Sequence, residues 1–196
     1  MRELGSFPPL STQRLVLREI LPHDAEDIFG IFSDAEVMTY YDSQPMTSLQ
    51  EAKAMIDRFA ALRQNDSGCR WGLTLKGSDK IVGTCGIFGR NKAFFSAASG
   101  YELSPPCWGS GLMAEALAAV LAYAFDHLGL NRIQATTNLD NHRSIRSLVK
   151  LGFKEEGILR QWGFWKDQFH DVRCFSLLKC DHNHQLSTGE SYERHS

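Results

Sequence analysis

Residues 103–117 read LSPPCWGSGLMAEAL. The segment before them, 97–103, alternates in the manner of a strand, and the alanine-rich segment that follows, 112–127, has the composition of a helix. Gly109 and Gly111, on either side of Ser110, therefore stand where a strand hands over to a helix. Small residues at that point let successive backbone N–H groups turn toward one place, and the helix N-terminus adds about half a positive charge. Together they make a socket for a phosphate or pyrophosphate. The plainer reading is a tight strand-to-helix turn. No Lys-Ser/Thr pair follows the glycines, so this is not a triphosphate-binding P-loop, and Ala114 stands where a dinucleotide fingerprint needs its third glycine.

Working outward, Leu117, Val120, Leu121 and Ala124 mark the buried stripe of the helix, which Gly129 closes. Residues 132–137 form a short strand, so 97–103 and 132–137 enclose a β-α-β unit and run parallel. Asp140 or Asn141 caps a helix running to Leu151, with Gly152 at its end. Strands at 153–159 and 172–179 flank a loop, QWGFWKDQFHD. Upstream, TQRLVLREI predicts a first strand. Pro22 opens a helix with Ala25, Ile28, Phe29 and Phe32 on its buried face. DAEVMTYYDSQPMTS is rich in turn formers and aromatics. Ser48 and Glu51 have capping-box spacing for a helix that carries Ala52, Met55, Ile56, Phe59 and Leu62 and ends near Asn65. Residues 71–75 and 81–88 predict a hairpin. The order β-α-α-β-β-β-α-β-α-β-β describes a mixed α/β sheet with helices on both faces.

The 196 residues are 43% hydrophobic and 22% charged with a formal net charge of -2, an ordinary globular balance without the basic excess of a nucleic-acid binder. We expect one domain at 12–180, an N-terminal extension at 1–11 and a disordered polar tail at 181–196. Five cysteines without a CxxC pair favour a reducing compartment over a disulfide framework. Cys180, His182 and His184 could in principle hold a metal; the expectation is a strand end running into the tail, with no metal site. No signal peptide or membrane span is expected, which points to a cytoplasmic protein.

The motifs, taken together, resemble those of the GNAT N-acetyltransferases. LSPPCWGSGLMAEAL is similar to their acyl-CoA pyrophosphate loop, Gln/Arg-x-x-Gly-x-Gly/Ala, with Trp108 at the Gln/Arg place and Met113 at the last small-residue place. Both departures are usual in the RimJ/RimL-like branch, where the loop reads YWGKG. NHRSIRSLVKLGF resembles that branch's N-x-x-S…K-x-G-F signature through Asn141, Ser144, Lys150, Gly152 and Phe153. TQRLVLRE, DAEVMTYYD and TSLQEA are also similar to that branch, so the resemblance spans residues 12–179.

This resemblance implies the GNAT fold: a mostly antiparallel sheet with one splayed parallel pair, and acetyl-CoA lying in the gap. The backbone at Leu103 would face the thioester. The amides of Trp108, Gly109, Ser110, Gly111, Leu112, Met113 and Ala114 would take the pyrophosphate, and Asn141 would touch the pantetheine arm. The implied reaction is attack of a primary amine on the thioester through a tetrahedral intermediate. Many relatives carry a Tyr seven residues after the Asn as acid; Leu148 stands there, which leaves Ser144 to meet the thiolate. Glu102 is a candidate base acting through water, or else an exposed strand residue or an ion-pair partner. Tyr40, Tyr41 and Trp162 are expected at the acceptor, or else in the core or a dimer contact. The acceptor would be a protein N-terminus or a small molecule such as a polyamine, amino acid or antibiotic, with no nucleic acid or membrane partner. The branch often forms homodimers. The rival is a non-catalytic acyl-CoA-binding module on the same fold.

Overall fold

The computed structural model describes residues 7–184. Its strands are β1 (Leu10–Ser11), β2 (Leu15–Arg18), β3 (Cys69–Leu75), β4 (Ile81–Asn91), β5 (Ser96–Leu103), β6 (Arg132–Asn138), β7 (Lys154–Trp165) and β8 (Gln168–Leu178). They form one sheet in the order β1-β2-β3-β4-β5-β6-β8-β7. Every neighbouring pair is antiparallel except β5 and β6.

Helices cover both faces because the strands at the centre are apolar on both. Helices α1 (Ala25–Phe32), α2 (Ala35–Met38) and α3 (Leu49–Gln64) place Ile28, Phe32, Met38 and Ile56 in one core with Ile20 and Ile81. Helices α4 (Leu112–Ala122) and α5 (His142–Lys150) place Leu117, Val120, Leu121 and Leu148 in the other, against Leu15, Leu17, Trp71 and Ile87. The β-α-β crossover through α4 accounts for the single parallel pair.

That pair comes apart. Ser96, Ala97 and Ala98 register with Arg132, Ile133 and Gln134, and there the pairing stops. β5 nevertheless stays paired to β4 as far as Leu103↔Gly83, and β6 stays paired to β8 as far as Asn138↔Val172. Each edge of the gap is thus stiffened from behind, so the sheet divides into two halves that diverge toward the C-terminal ends of β5 and β6.

Several local expectations need correction. The stretch 161–171, expected as a loop, is mostly ladder: β7 runs to Trp165, β8 starts at Gln168, and only Lys166 and Asp167 turn the chain, with φ of 52° and 61°. This is a two-residue hairpin turn without the Asn-Gly pair that usually announces one. A short helix, α2, lies inside the turn-rich segment, started by Asp34, whose carboxylate accepts from the amides of Glu36 and Val37. The capping box at Ser48 does not close: its hydroxyl donates to Glu51 at 3.0 Å and caps no amide, while Glu51 accepts from the Thr47 amide. The long helix ends in a π-helical turn at Tyr123–His127.

Two residues of the expected N-terminal extension add the edge strand β1. At the other end, 179–184 are helical, and His182 is buried with its ring 5.1 Å from Phe125. The remainder of the expected tail, 185–196, and residues 1–6 lie outside the described residues. Among the described residues there is no group of three metal-ligating side chains and no helix long and apolar enough to cross a membrane.

Candidate active site

Past Leu103, Pro105–Cys107 make one 3-10 turn, and the Trp108 indole N–H reaches back to the Leu103 carbonyl at 2.6 Å. The Arg143 guanidinium lies 4.2 Å from the Trp108 ring centre, so a cation–π contact ties α5 to this corner. Gly109 and Gly111 have φ of 73° and 78°, the left-handed region where a Cβ is penalised. The Trp108 amide is satisfied by Pro105, which leaves its indole as its contribution. The amides of residues 109–114 have no acceptor among the described residues; the first bond of the helix runs from the Glu115 amide to the Gly111 carbonyl, and Gly111 offers no side-chain cap. Leu112 and Met113 bury their side chains, so only their backbone is open to a ligand at this corner.

The loop is braced from the turn between β1 and β2. Arg14 Nη1 donates to the Ser110 carbonyl at 2.9 Å while its Nε binds Glu115 at 2.7 Å. Glu115 also accepts from Thr12 Oγ1 and the Arg14 amide. Burial raises the Glu115 carboxyl, but these donors win and hold it below the usual carboxylate range. The carboxylate is therefore occupied at the start of α4 without sealing the free amides.

On the α4/α5 side of the gap, Tyr101 on β5 brings its hydroxyl to 2.7 Å from Ser144 Oγ. Asn141 accepts from the Ser144 amide at 3.1 Å, the N-cap of α5, and so fixes that serine. Burial pushes the Tyr101 phenol up to about 12, against the pull of its bond to Ser144. It therefore keeps its proton at neutral pH. Leu148 is 1% exposed, which removes that position from any chemistry.

On the opposite face, Glu102 is an ion-pair partner. Arg70 Nη2 and Thr84 Oγ1 both bind its Oε2, and Arg70 also donates to Thr84 Oγ1 and the Gly100 carbonyl. Arg70 crosses the sheet where Gly86 and Gly100 leave room: a Cβ on Gly100 would stand 3.3 Å from its Nη1. Glu102 Oε1 has no partner among the described residues. Tyr41 packs edge-on against Phe32 at 5.6 Å; burial, then the nearby Glu102 charge, raises its phenol. Tyr40 is half exposed, with its carbonyl taken by Asn138 at 2.8 Å. Trp162 stands 60% exposed on β7, and no hydrogen bond or ring contact among the described residues joins it to Tyr40 or Tyr41.

The structure thus brings Glu102, Leu103, Gly109 to Ala114, Asn141, Ser144 and Tyr41 to the two faces of one split; Trp162 lies on the β7–β8 hairpin, whose tip residue Lys166 reaches the Met38 and Thr39 carbonyls. Sequence reasoning missed Tyr101, Arg70, Arg14, Asn138 and Lys166. Arg70 carried a signal, being a charged residue inside the apolar run CRWGL. Tyr101 carried one too, two residues before Leu103 and so on its side of the strand.

The acetyltransferase (GNAT) domain family matches residues 14–154. The uncharacterized N-acetyltransferase YoaA of Bacillus subtilis strain 168 is 40% identical over 173 residues, covering 88% of this chain and 98% of that protein. Among solved structures, RimJ of Mycobacterium smegmatis in complex with CoA-disulfide superposes with a TM-score of 0.80 at 21% identity, covering 93% of each chain. The ribosomal-protein-S5-alanine acetyltransferase of Vibrio fischeri gives 0.75 at 21% identity, over 87% of this chain and 96% of its own. Free amides at a helix start, a parallel pair that opens beside them and this match over most of the chain agree: the protein belongs to the GNAT acetyltransferases, enzymes that transfer an acetyl group from acetyl-CoA to an amine.

Proposed function

We propose that the acceptor is a protein N-terminal α-amine. The arrangement of Glu102 carries this choice. It is the carboxylate of β5 at the split, and one of its oxygens is already held by Arg70 and Thr84. A site without a dedicated strong base suits an amine that arrives partly neutral. An α-amino group, pKa ~7.7–8.0, is roughly a tenth to a sixth neutral at pH 7, whereas a lysine near ~10.4 is neutral in well under one part in a thousand. Glu102 Oε1 then needs only to draw the ammonium proton away through water.

In this reading acetyl-CoA enters from the α4/α5 side. Its pyrophosphate sits on the amides of residues 109–114, and its pantetheine arm lies along β5 beside Asn141. Backbone N–H groups of β5 that β6 leaves unpaired receive the oxyanion, which demands no further side chain. The amine approaches from the Tyr41 face and attacks the thioester carbon. As the tetrahedral intermediate collapses, the C–S bond breaks, the new amide nitrogen sheds its extra proton through water to Glu102 and on to solvent, and the thiolate takes a proton from Ser144 Oγ, which Tyr101 replaces and itself regains from solvent. The resemblance in fold to the S5-alanine acetyltransferase supports the same acceptor class.

The test is release of coenzyme A against a panel of N-terminal peptides, polyamines, free amino acids and aminoglycosides. Peptides with a free α-amine are expected to give the highest kcat/KM, and blocking that amine should abolish the signal. A polyamine or antibiotic turned over faster than every peptide would overturn the proposal. Acetyl-CoA binding without turnover of any amine would favour a non-catalytic module.

A further inference from the structure

Three successive backbone carbonyls, those of Met38, Thr39 and Tyr40, are held by side chains from the other half of the divided sheet. Lys166 Nζ donates to Met38 at 2.7 Å and to Thr39 at 3.3 Å, and Asn138 Nδ2 donates to Tyr40 at 2.8 Å. α2 and Tyr41 pack with α1, which lies against the β4 side of the gap. Asn138 ends β6, and Lys166 is the tip of the β7–β8 hairpin, both beyond the gap. These bonds cross the split on the same face as Glu102.

Lys166 makes its bridge from a left-handed backbone, φ 52°, a conformation that costs a residue with a Cβ and that glycine would relieve. Its ammonium also meets the last carbonyls of α2, where a cation is favoured.

We infer that Lys166 and Asn138 are positioning residues for the acceptor: they clamp the Tyr40–Tyr41 segment across the split and set the entrance through which the amine reaches Glu102. The inference rests on the acetyl-transfer reading above, with the acceptor on the Tyr41 face. It does not concern acetyl-CoA, which takes the other face.

The test compares Lys166→Met, which keeps the stem and removes the ammonium, with Lys166→Arg, which keeps the charge. For the best acceptor found, Lys166→Met should raise KM roughly five- to tenfold, less than the full worth of its two charge-assisted hydrogen bonds because the clamp acts on the acceptor indirectly, with kcat and the KM for acetyl-CoA within about twofold. Lys166→Arg should restore most of the loss. In the same variant, without substrates, amide hydrogen exchange should quicken at residues 39–42 and stay unchanged at 109–114. An unchanged acceptor KM, an equal rise in the KM for acetyl-CoA, or unaltered exchange at 39–42 would overturn the inference. The exchange measurement needs no acceptor, so it judges the bridge even if the panel shows no amine acetylated, which would sink the acceptor proposal instead.

Discussion

Tyr101 and Ser144 share one hydrogen bond on the α4/α5 side of the gap, and in the proposed mechanism each acts only through the other. Ser144 alone is a weak acid; with a buried, protonated phenol behind it, it can pass a proton to a leaving thiolate. Removing either partner should therefore cost about the same. We predict that Tyr101→Phe and Ser144→Ala each lower kcat roughly tenfold, leave acetyl-CoA affinity within about twofold, and combine to little more than either alone, as members of one unit do. The phenol titrates near 12, so it remains an acid throughout the assay range. The rise of kcat/KM between pH 6 and 9 should then follow the amine and keep its shape in Tyr101→Phe. A profile that changes shape on that substitution would place a titration of Tyr101 inside the range and contradict the assignment.

The elements differ in how plainly they declare themselves. α1 is anchored by Asp24, whose carboxylate is 3% exposed and binds both Arg18 terminal nitrogens at 2.8 Å and the Leu21 amide at 2.7 Å. Burial pushes this carboxyl up, but the Arg18 hydrogen bonds and the Leu21 amide prevail and its pKa lies below the ordinary value. A lowered folded value means that the stabilisation is complete above the unfolded carboxylate pKa, near ~3.9, and fades as pH falls through the folded one. Asp24→Asn should cost about 2 kcal/mol at pH 7 by urea unfolding and should make stability below pH 4 less sensitive to acid. Equal acid sensitivity in variant and parent would refute this. The strand-to-helix corner at 109–114 was legible because it depends on neighbours in sequence. Glu102's engagement was not: Arg70 reaches it only through the β3–β4–β5 register. The hairpin at 161–171 was hidden because Lys-Asp is an unusual pair for its turn. α2 was hidden because its four residues fall below any periodic signal.

At the scale of the molecule, the fold is two half-sheets hinged on three registered pairs, with α4 and α5 serving one side of the opening and α1 to α3 the other. Two substrates can then meet at one strand from opposite faces, each handled by its own set of helices. In the proposed mechanism the free amides between Gly109 and Ala114 are the seat of acetyl-CoA. Amide NMR spectra recorded while acetyl-CoA is added test that directly. The resonances of 109–114 should move most, joined by those of 99–103 on β5, while the β3–β4 turn at 76–80 stays still. Saturable binding that leaves 109–114 unmoved would contradict it.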